Sequence, residues 1–398
     1  MNNSSIKSIK KNGQEIWLDN LNRGLIKSGK FKNLVDQGIT GFTTNPTIFF
    51  KCLEQGDSSK ELDDYSEDIE LFVGQEKDFF QQSTKYRYCP SLYDFLLLSD
   101  IKAAADLLMP MYLNSSGEEG YISVDLDPTF AYRSPNSIHQ ACWIWENVNR
   151  PNLMIKIPAT LPGIDIIRAL TYKGINVNVT CIFSLQQYEL ATQAYISGLQ
   201  SRRKKNLPLN NIRSVASVCI GPFDFMIDTI IDKLEIDKST FKDNNIRGFA
   251  GSSNAKIIYD MYGIIFEDKL FKECKDCGAN KQKIVWTGTS IKDDAYSPLK
   301  YVNSLIGKET ILSLTWDTMD ALIKTSQKFT STTIDKEVNI AYDFMDEWLT
   351  PALDSEGMDI DLISSQLLGE SIEISCIMYD EIFHLLYKKM SNYMERKL

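Results

Sequence analysis

Eight short segments of strand composition recur along this chain, and the stretches between them carry helical patterns. The segments are Glu15–Asp19, Gln37–Pro46, Tyr121–Asp127, Leu153–Ile157, Asn176–Phe183, Ser214–Ile220, Lys283–Thr289 and Thr310–Thr315. Helices are expected over Asn20–Ser28, closed by Gly29, over Ser99–Met111, and from Ser134-Pro135 to about Asn149. Others are expected over Gly163–Tyr172 with Gly174 past the end, after the cap residue Ser184, and near 223–235, 252–266 and 297–306. Strands alternating with helices in this way predict an α/β fold, a parallel (β/α)8 TIM barrel. With 398 residues against roughly 250 for a bare barrel, the expectation is one domain with additions. Those additions are a polar N-terminal arm over 1–14 and a C-terminal extension over 330–398, helical throughout and packed on the barrel. Residues 55–95 read as polar and irregular.

Parity within the strands says more. Successive side chains of a strand point to opposite faces, so polar residues of equal parity share one. Trp17 and Asp19 do so, as do Thr43 and Asn45; Ser123, Asp125 and Asp127; Met154 and Lys156; and Asn176, Asn178 and Thr180. The opposite parity is apolar, with Ile16 and Leu18, Val124 and Leu126, Ile155 and Ile157, Val177 and Val179. Helices are expected to cover the apolar face. Carboxylates, amides, hydroxyls and one lysine then point into the barrel toward the C-terminal strand ends, where barrel active sites sit.

Lys156 is the centre of that set. It stands in the apolar run Leu153–Ile157 between Pro151 and Pro158. Burial disfavours an ammonium, so the sequence predicts a lowered pKa and an amine nucleophile suited to Schiff-base chemistry on a carbonyl. Pairing with a buried carboxylate, or snorkelling to the rim, is the other use of such a lysine.

Composition removes several function classes. With 43 Lys+Arg against 53 Asp+Glu, the formal charge is -10, and no basic run exceeds Arg202-Arg203-Lys204-Lys205. A nucleic-acid surface is therefore not expected. No apolar stretch nears the ~20 residues of a membrane span, and Met1–Asn12 lacks a signal-peptide core; a cytoplasmic protein with no membrane partner is expected. The eight cysteines read as reduced thiols, Cys181 and Cys219 among them as core residues. Cys274 and Cys277 have no second pair at zinc spacing, and the two histidines, His139 and His384, lie in helical patterns. No metal and no organic cofactor are expected, so acid–base work falls to carboxylates, hydroxyls and lysine.

These residues resemble a known family. Trp17-Leu-Asp19, Gly41-Phe-Thr-Thr-Asn-Pro-Thr-Ile-Phe49, Ile155-Lys-Ile-Pro-Ala-Thr160 and Gly174-Ile-Asn-Val-Asn-Val-Thr-Cys-Ile-Phe-Ser184 are similar to transaldolase, above all its longer, plant-type bacterial branch. Ser214-Val-Ala-Ser217, Asn254-Ala-Lys256 and Asp294-Ala-Tyr-Ser297 extend the likeness. The resemblance implies class I aldolase chemistry in carbohydrate metabolism, such as the pentose phosphate pathway, on a sugar or sugar phosphate. It implies Lys156 as the Schiff-base lysine, Asp19 as the carboxylate handling a donor hydroxyl proton, and Asn45 and Asn178 as amides holding donor hydroxyls. Thr180 would help hold a catalytic water, with Asp125 standing where the family has glutamate, and Thr43 is placed among the substrate-binding residues. Monomer and homodimer both stay open.

The likeness breaks where the family holds phosphate. Gly221 and Pro222 replace a serine and an arginine, Trp286-Thr-Gly-Thr289 replaces Trp-Ala-Ser-Thr, and Leu314-Thr-Trp316 replaces Thr-Met-Pro. Ser290 and Lys292 remain as phosphate contacts. Ordinary sugar phosphates therefore compete with an unphosphorylated or modified ketose, and a transaldolase-shaped binding protein is the non-catalytic alternative.

Overall fold

A computed structural model describes residues 4–55, 65–75, 89–233, 246–325 and 327–395. Much of the irregular stretch expected over 55–95 lies outside the described residues. Eight parallel strands close into a barrel in chain order: β1 Gln14–Leu18, β2 Gly41–Thr43, β3 Tyr121–Asp125, β4 Leu153–Pro158, β5 Val177–Ile182, β6 Ser214–Cys219, β7 Gln282–Thr287 and β8 Thr310–Leu314. β1 pairs with both β2 and β8, so the sheet has no edge.

The parity expected from the sequence separates two packed layers. Ile16, Leu18, Val124, Ile155, Ile157, Val177, Val179, Ala216, Val218, Ile284, Trp286, Leu312 and Leu314 belong to one apolar cluster with the surrounding helices. Trp17, Tyr121, Met154, Val215, Val285 and Ile311 form a separate plug inside the barrel. The plug is tight: a methyl group on Gly41 would stand 2.6 Å from the Trp17 indole. Beneath it, Glu15 accepts from Thr40 and Lys283, and Lys283 also pairs with Glu118. The polar residues toward the other end of the strands are left to line the mouth.

Several boundaries depart from the sequence reading. β2 is three residues, because Lys30–Gln37 is a helix ending at Gly38 in the left-handed region. Pro46 opens the helix Pro46–Gln55 rather than closing a strand, as a proline at a first helical position does. Ser134 lies inside the helix Ser134–Val148 and bonds Pro162 O instead of capping. Ser184 and Gly174 do terminate their helices, Ser184 accepting from Gln187 N and Gly174 at φ 88°. The polar arm contains the helix Ser4–Lys11, which buries Ile6 and Ile9, one turn apart. The tail is not helical throughout: residues 330–337 are irregular, Thr333 N and Ile334 N bonding Ile306 O. Beyond them come Val338–Tyr342, a π-helical stretch Asp343–Leu349, Thr350–Asp354 and the long helix Ile360–Glu395. That last helix packs against Pro46–Gln55 and Cys89–Asn114 and reaches the barrel mouth. No described helix is long and apolar enough to cross a membrane.

Candidate active site

β3 and β4 are adjacent and in register, pairing Asp125 with Lys156 and placing both side chains at the mouth. Lys156 Nζ lies 3.1 Å from Asp125 Oδ1 and donates to Thr44 O at 2.6 Å. Thr44 holds the carboxylate from its other side. Its hydroxyl donates to Asp125 Oδ2 at 2.7 Å and accepts from Asp125 N at 3.2 Å.

Asp19, just past β1, accepts from the Thr43 hydroxyl and from the Asn45 side chain. Asn45 Oδ1 also accepts from Thr47 N, which fixes the amide at the start of the helix Pro46–Gln55. Burial raises the Asp19 pKa, although Lys156 pulls the other way.

For Lys156 the sequence expectation is overturned. Burial does oppose its charge, but Asp125 and then Asp19 more than compensate, and its pKa is raised. The resting lysine is an ammonium. Its strand neighbours alone could not show this, since both carboxylates arrive from other strands.

Asn178 is 1% exposed, with both ends of its amide oriented: Nδ2 donates to Ser123 Oγ at 3.1 Å and Oδ1 accepts from Ser217 Oγ at 2.7 Å. One N–H of the amide is left over for another acceptor. Thr180 and Cys181 line the same recess despite being neighbours in sequence. A bulge between Val179 and Ile182, with Cys181 at φ 57°, permits this, as bulges beside active sites re-aim side chains. Cys181 and Cys219 are half-buried, and burial pushes both thiols up, away from thiolate chemistry.

The recess around Lys156 holds about 80 Å³ and is bounded by Asp125, Thr180, Cys181 and, from the C-terminal helix, Ser371, Ile372 and Ser375. Ser371 and Ser375 were not expected there. Their only sequence signal is a pair of small polar residues at i, i+4 in an apolar helix. Thr44 was missed because its parity is opposite to that of Thr43 and Asn45, and alternation ends with the strand. Asp127 lines the same recess as Asp125, but its carboxylate accepts from Thr129 N and starts the short 3-10 turn Pro128–Phe130.

Ser290 and Lys292 are not among the residues of this recess. Ser290 lines a separate recess with Asp317, Asp320 and Lys324, and Lys292 is exposed. Among the described residues no group of three His, Cys, Asp or Glu side chains could hold a metal. The arrangement can thus present an amine to a carbonyl, with the Asp125 carboxylate in contact and that of Asp19 near enough to act on its charge.

Residues 16–385 match the family described as Transaldolase/Fructose-6-phosphate aldolase. The chain is 34% identical over 366 residues to the transaldolase of Trichodesmium erythraeum, covering 91% of each. It is 34% identical over 370 residues to transaldolase 2 of a Nostoc species, covering 92% of each. With the transaldolase of Mycobacterium tuberculosis the identity is 33% over 322 residues, 80% of this chain and 81% of the other.

Proposed function

The chain belongs to the transaldolase/fructose-6-phosphate aldolase family and is a transferase of that type, and from that premise we propose that it moves a dihydroxyacetone unit from a ketose donor to an aldehyde acceptor through a Schiff base on Lys156. The observation that carries the proposal is the contact of Lys156 Nζ with Asp125 at the barrel mouth.

The resting ammonium must lose a proton before it attacks, and Asp125 is the base in contact. The amine then adds to the C2 carbonyl. Protonation of the resulting hydroxyl, by the carboxyl that took the first proton, expels water and leaves an iminium. In this reading Thr180, which lines the same recess, holds that water.

Asp19 takes the proton of the C4 hydroxyl. The C3–C4 bond breaks, its electrons enter the iminium to give an enamine, and the shortened aldehyde departs. The enamine adds to the acceptor aldehyde, Asp19 returns its proton to the new alkoxide, and water hydrolyses the iminium. A carboxyl with a raised pKa suits a group that accepts and returns a proton within one cycle. Thr43 and Asn45 hydrogen-bond Asp19, and in this reading Asn45 and Asn178 bind the donor hydroxyls. No step calls for a metal or an organic cofactor.

Borohydride reduction in the presence of dihydroxyacetone tests the reading. A mass increase confined to the peptide containing Lys156 is expected, and its absence would remove the Schiff base from the mechanism.

A further inference from the structure

Resting on the Schiff-base reading and deepening it, we propose that the ketose donor is neutral, ending in a hydroxyl rather than a phosphate at the end away from its carbonyl. In barrels a substrate phosphate is commonly held by the loops after strands seven and eight and by a nearby helix N-terminus. Among the described residues, the helix starts after β6 and β8 each carry an acid, and Arg247, Lys300 and Lys324 nearby are already paired.

The helix Gly221–Lys233 follows β6. Gly221 N donates to Gly288 O at 3.0 Å, and Pro222 has no N–H, so one early donor is used and the next does not exist. The approach of the two loops leaves no room for a side chain: a methyl at Gly221 would stand 2.5 Å from Gly288 O and 2.8 Å from Ser290 O. Gly288 lies at φ 63°, a conformation that favours glycine, with the Pro222 ring against it. The start of the helix therefore faces carbonyl oxygens, which repel an anion.

Both helix starts on this side also carry an acid in the first turn, Asp224 after β6 and Asp317 after β8. Asp224 is 1% exposed and accepts from Gly251 N at 2.9 Å, Lys300 Nζ at 2.6 Å and Tyr301 OH at 2.7 Å. That lysine is consumed. Arg247 is paired with Asp232 and, at 3.0 Å, with Asp293, and Lys324 with Asp320 at 2.5 Å. The Thr289 hydroxyl donates to Ser313 O and that of Ser217 to Asn178. Lys292 is exposed and precedes Asp293 and Asp294 in the chain.

A dianionic phosphate is stabilised by several charge-assisted hydrogen bonds and pays heavily in lost hydration without them. A hydroxyl is a different guest. It donates as well as accepts, and the carbonyls of Gly288 and Ser290 each have lone pairs for a donor. Trp316, 43% exposed at the first position of the helix after β8, adds apolar surface to the same side.

The test compares kcat/KM for fructose and fructose 6-phosphate on the full chain with glyceraldehyde as common acceptor, alongside borohydride trapping with both ketoses and with dihydroxyacetone. The expected result is fructose equal to or better than its phosphate. An advantage of 10-fold or more for fructose 6-phosphate overturns the inference, while dihydroxyacetone trapped on Lys156 in the same experiment shows that the Schiff-base reading survives. If none of the three is trapped, that reading fails and the inference fails with it.

Discussion

The ammonium of Lys156 sits in the fork of one carboxylate, 3.1 Å from Asp125 Oδ1 and 3.2 Å from Asp125 Oδ2. A glutamate there would carry its carboxyl about one C–C bond further, so the shorter side chain is matched to direct contact with the amine. Removing the charge has two expected effects. Asp125→Asn slows Schiff-base formation by about 10²–10⁴-fold, the range of one proton-transfer group. It also lowers the Lys156 pKa, so the rise of that rate with pH moves to lower pH. Single-turnover kinetics across pH check both, and a parent-like rate and profile would take Asp125 out of proton transfer.

Lys156→Ala is expected to abolish borohydride trapping and to reduce turnover by more than about 10⁴-fold, beyond what loss of a single acid or base explains. The fold should persist, since the side chain contributes little to the apolar layers. Far-UV circular dichroism together with intact-mass trapping decides it; residual trapping at another lysine would move the nucleophile elsewhere.

Thr44 both donates to and accepts from Asp125, so it fixes the carboxylate against the lysine. Thr44→Val is expected to lower kcat by about 10-fold, equivalent to ~1.4 kcal/mol, with a displaced pH profile, and Thr44→Ser to recover most of both. A Thr44→Val enzyme whose kcat falls while its pH profile stays in place would indicate packing alone.

The strands and their inward parity were legible because period-2 alternation is a local signal, and Asp19, Asp125, Lys156 and Asn178 followed from it. The second strand was read too long because Gln37 ends a helix and Asn45-Pro46 begins another, and both borders look like a strand's. The helices Lys269–Lys275 and Trp316–Lys324 were likewise not anticipated. Thr44 lies past the last regular residue of β2, Cys181 on a bulge and Ser371 on a distant helix; all three depend on geometry that no local period encodes. The charge of Lys156 was misjudged for the same reason, because its partners come from β3 and from the end of β1.

Away from the site, Asp94 is half-buried near Asp127, and burial followed by that neighbour's charge lifts its pKa to about 6. The folded chain then binds a proton that the unfolded chain releases near 3.8, so this group's contribution is favourable at low pH and is lost as pH rises through about 6. Asp94→Asn lacks that loss. Relative to the parent, the variant is expected to gain on the order of 1 kcal/mol between pH 4 and pH 7.5, after allowance for solvent screening. Urea midpoints at the two pH values check it; a constant difference would refute it.

Gly41→Ala is expected to destabilise the barrel by about 1–3 kcal/mol, because the added methyl would meet the Trp17 indole at 2.6 Å and the plug has no slack to receive it. Denaturant unfolding measures the change. A loss below 0.5 kcal/mol would mean that the indole moves without cost.

Closure of the sheet also sets an order of events during synthesis. Gln14 hydrogen-bonds Thr310, its register partner, across a separation of 296 residues, so the first strand to leave the ribosome lacks one neighbour until the last arrives. At roughly 5–20 residues per second, that interval is about 15–60 s. Until then β1 presents a bare row of backbone donors and acceptors to any passing strand. The nascent chain is consequently most exposed to mispairing at its oldest segment, and the final ring-closing contact commits the whole molecule at once.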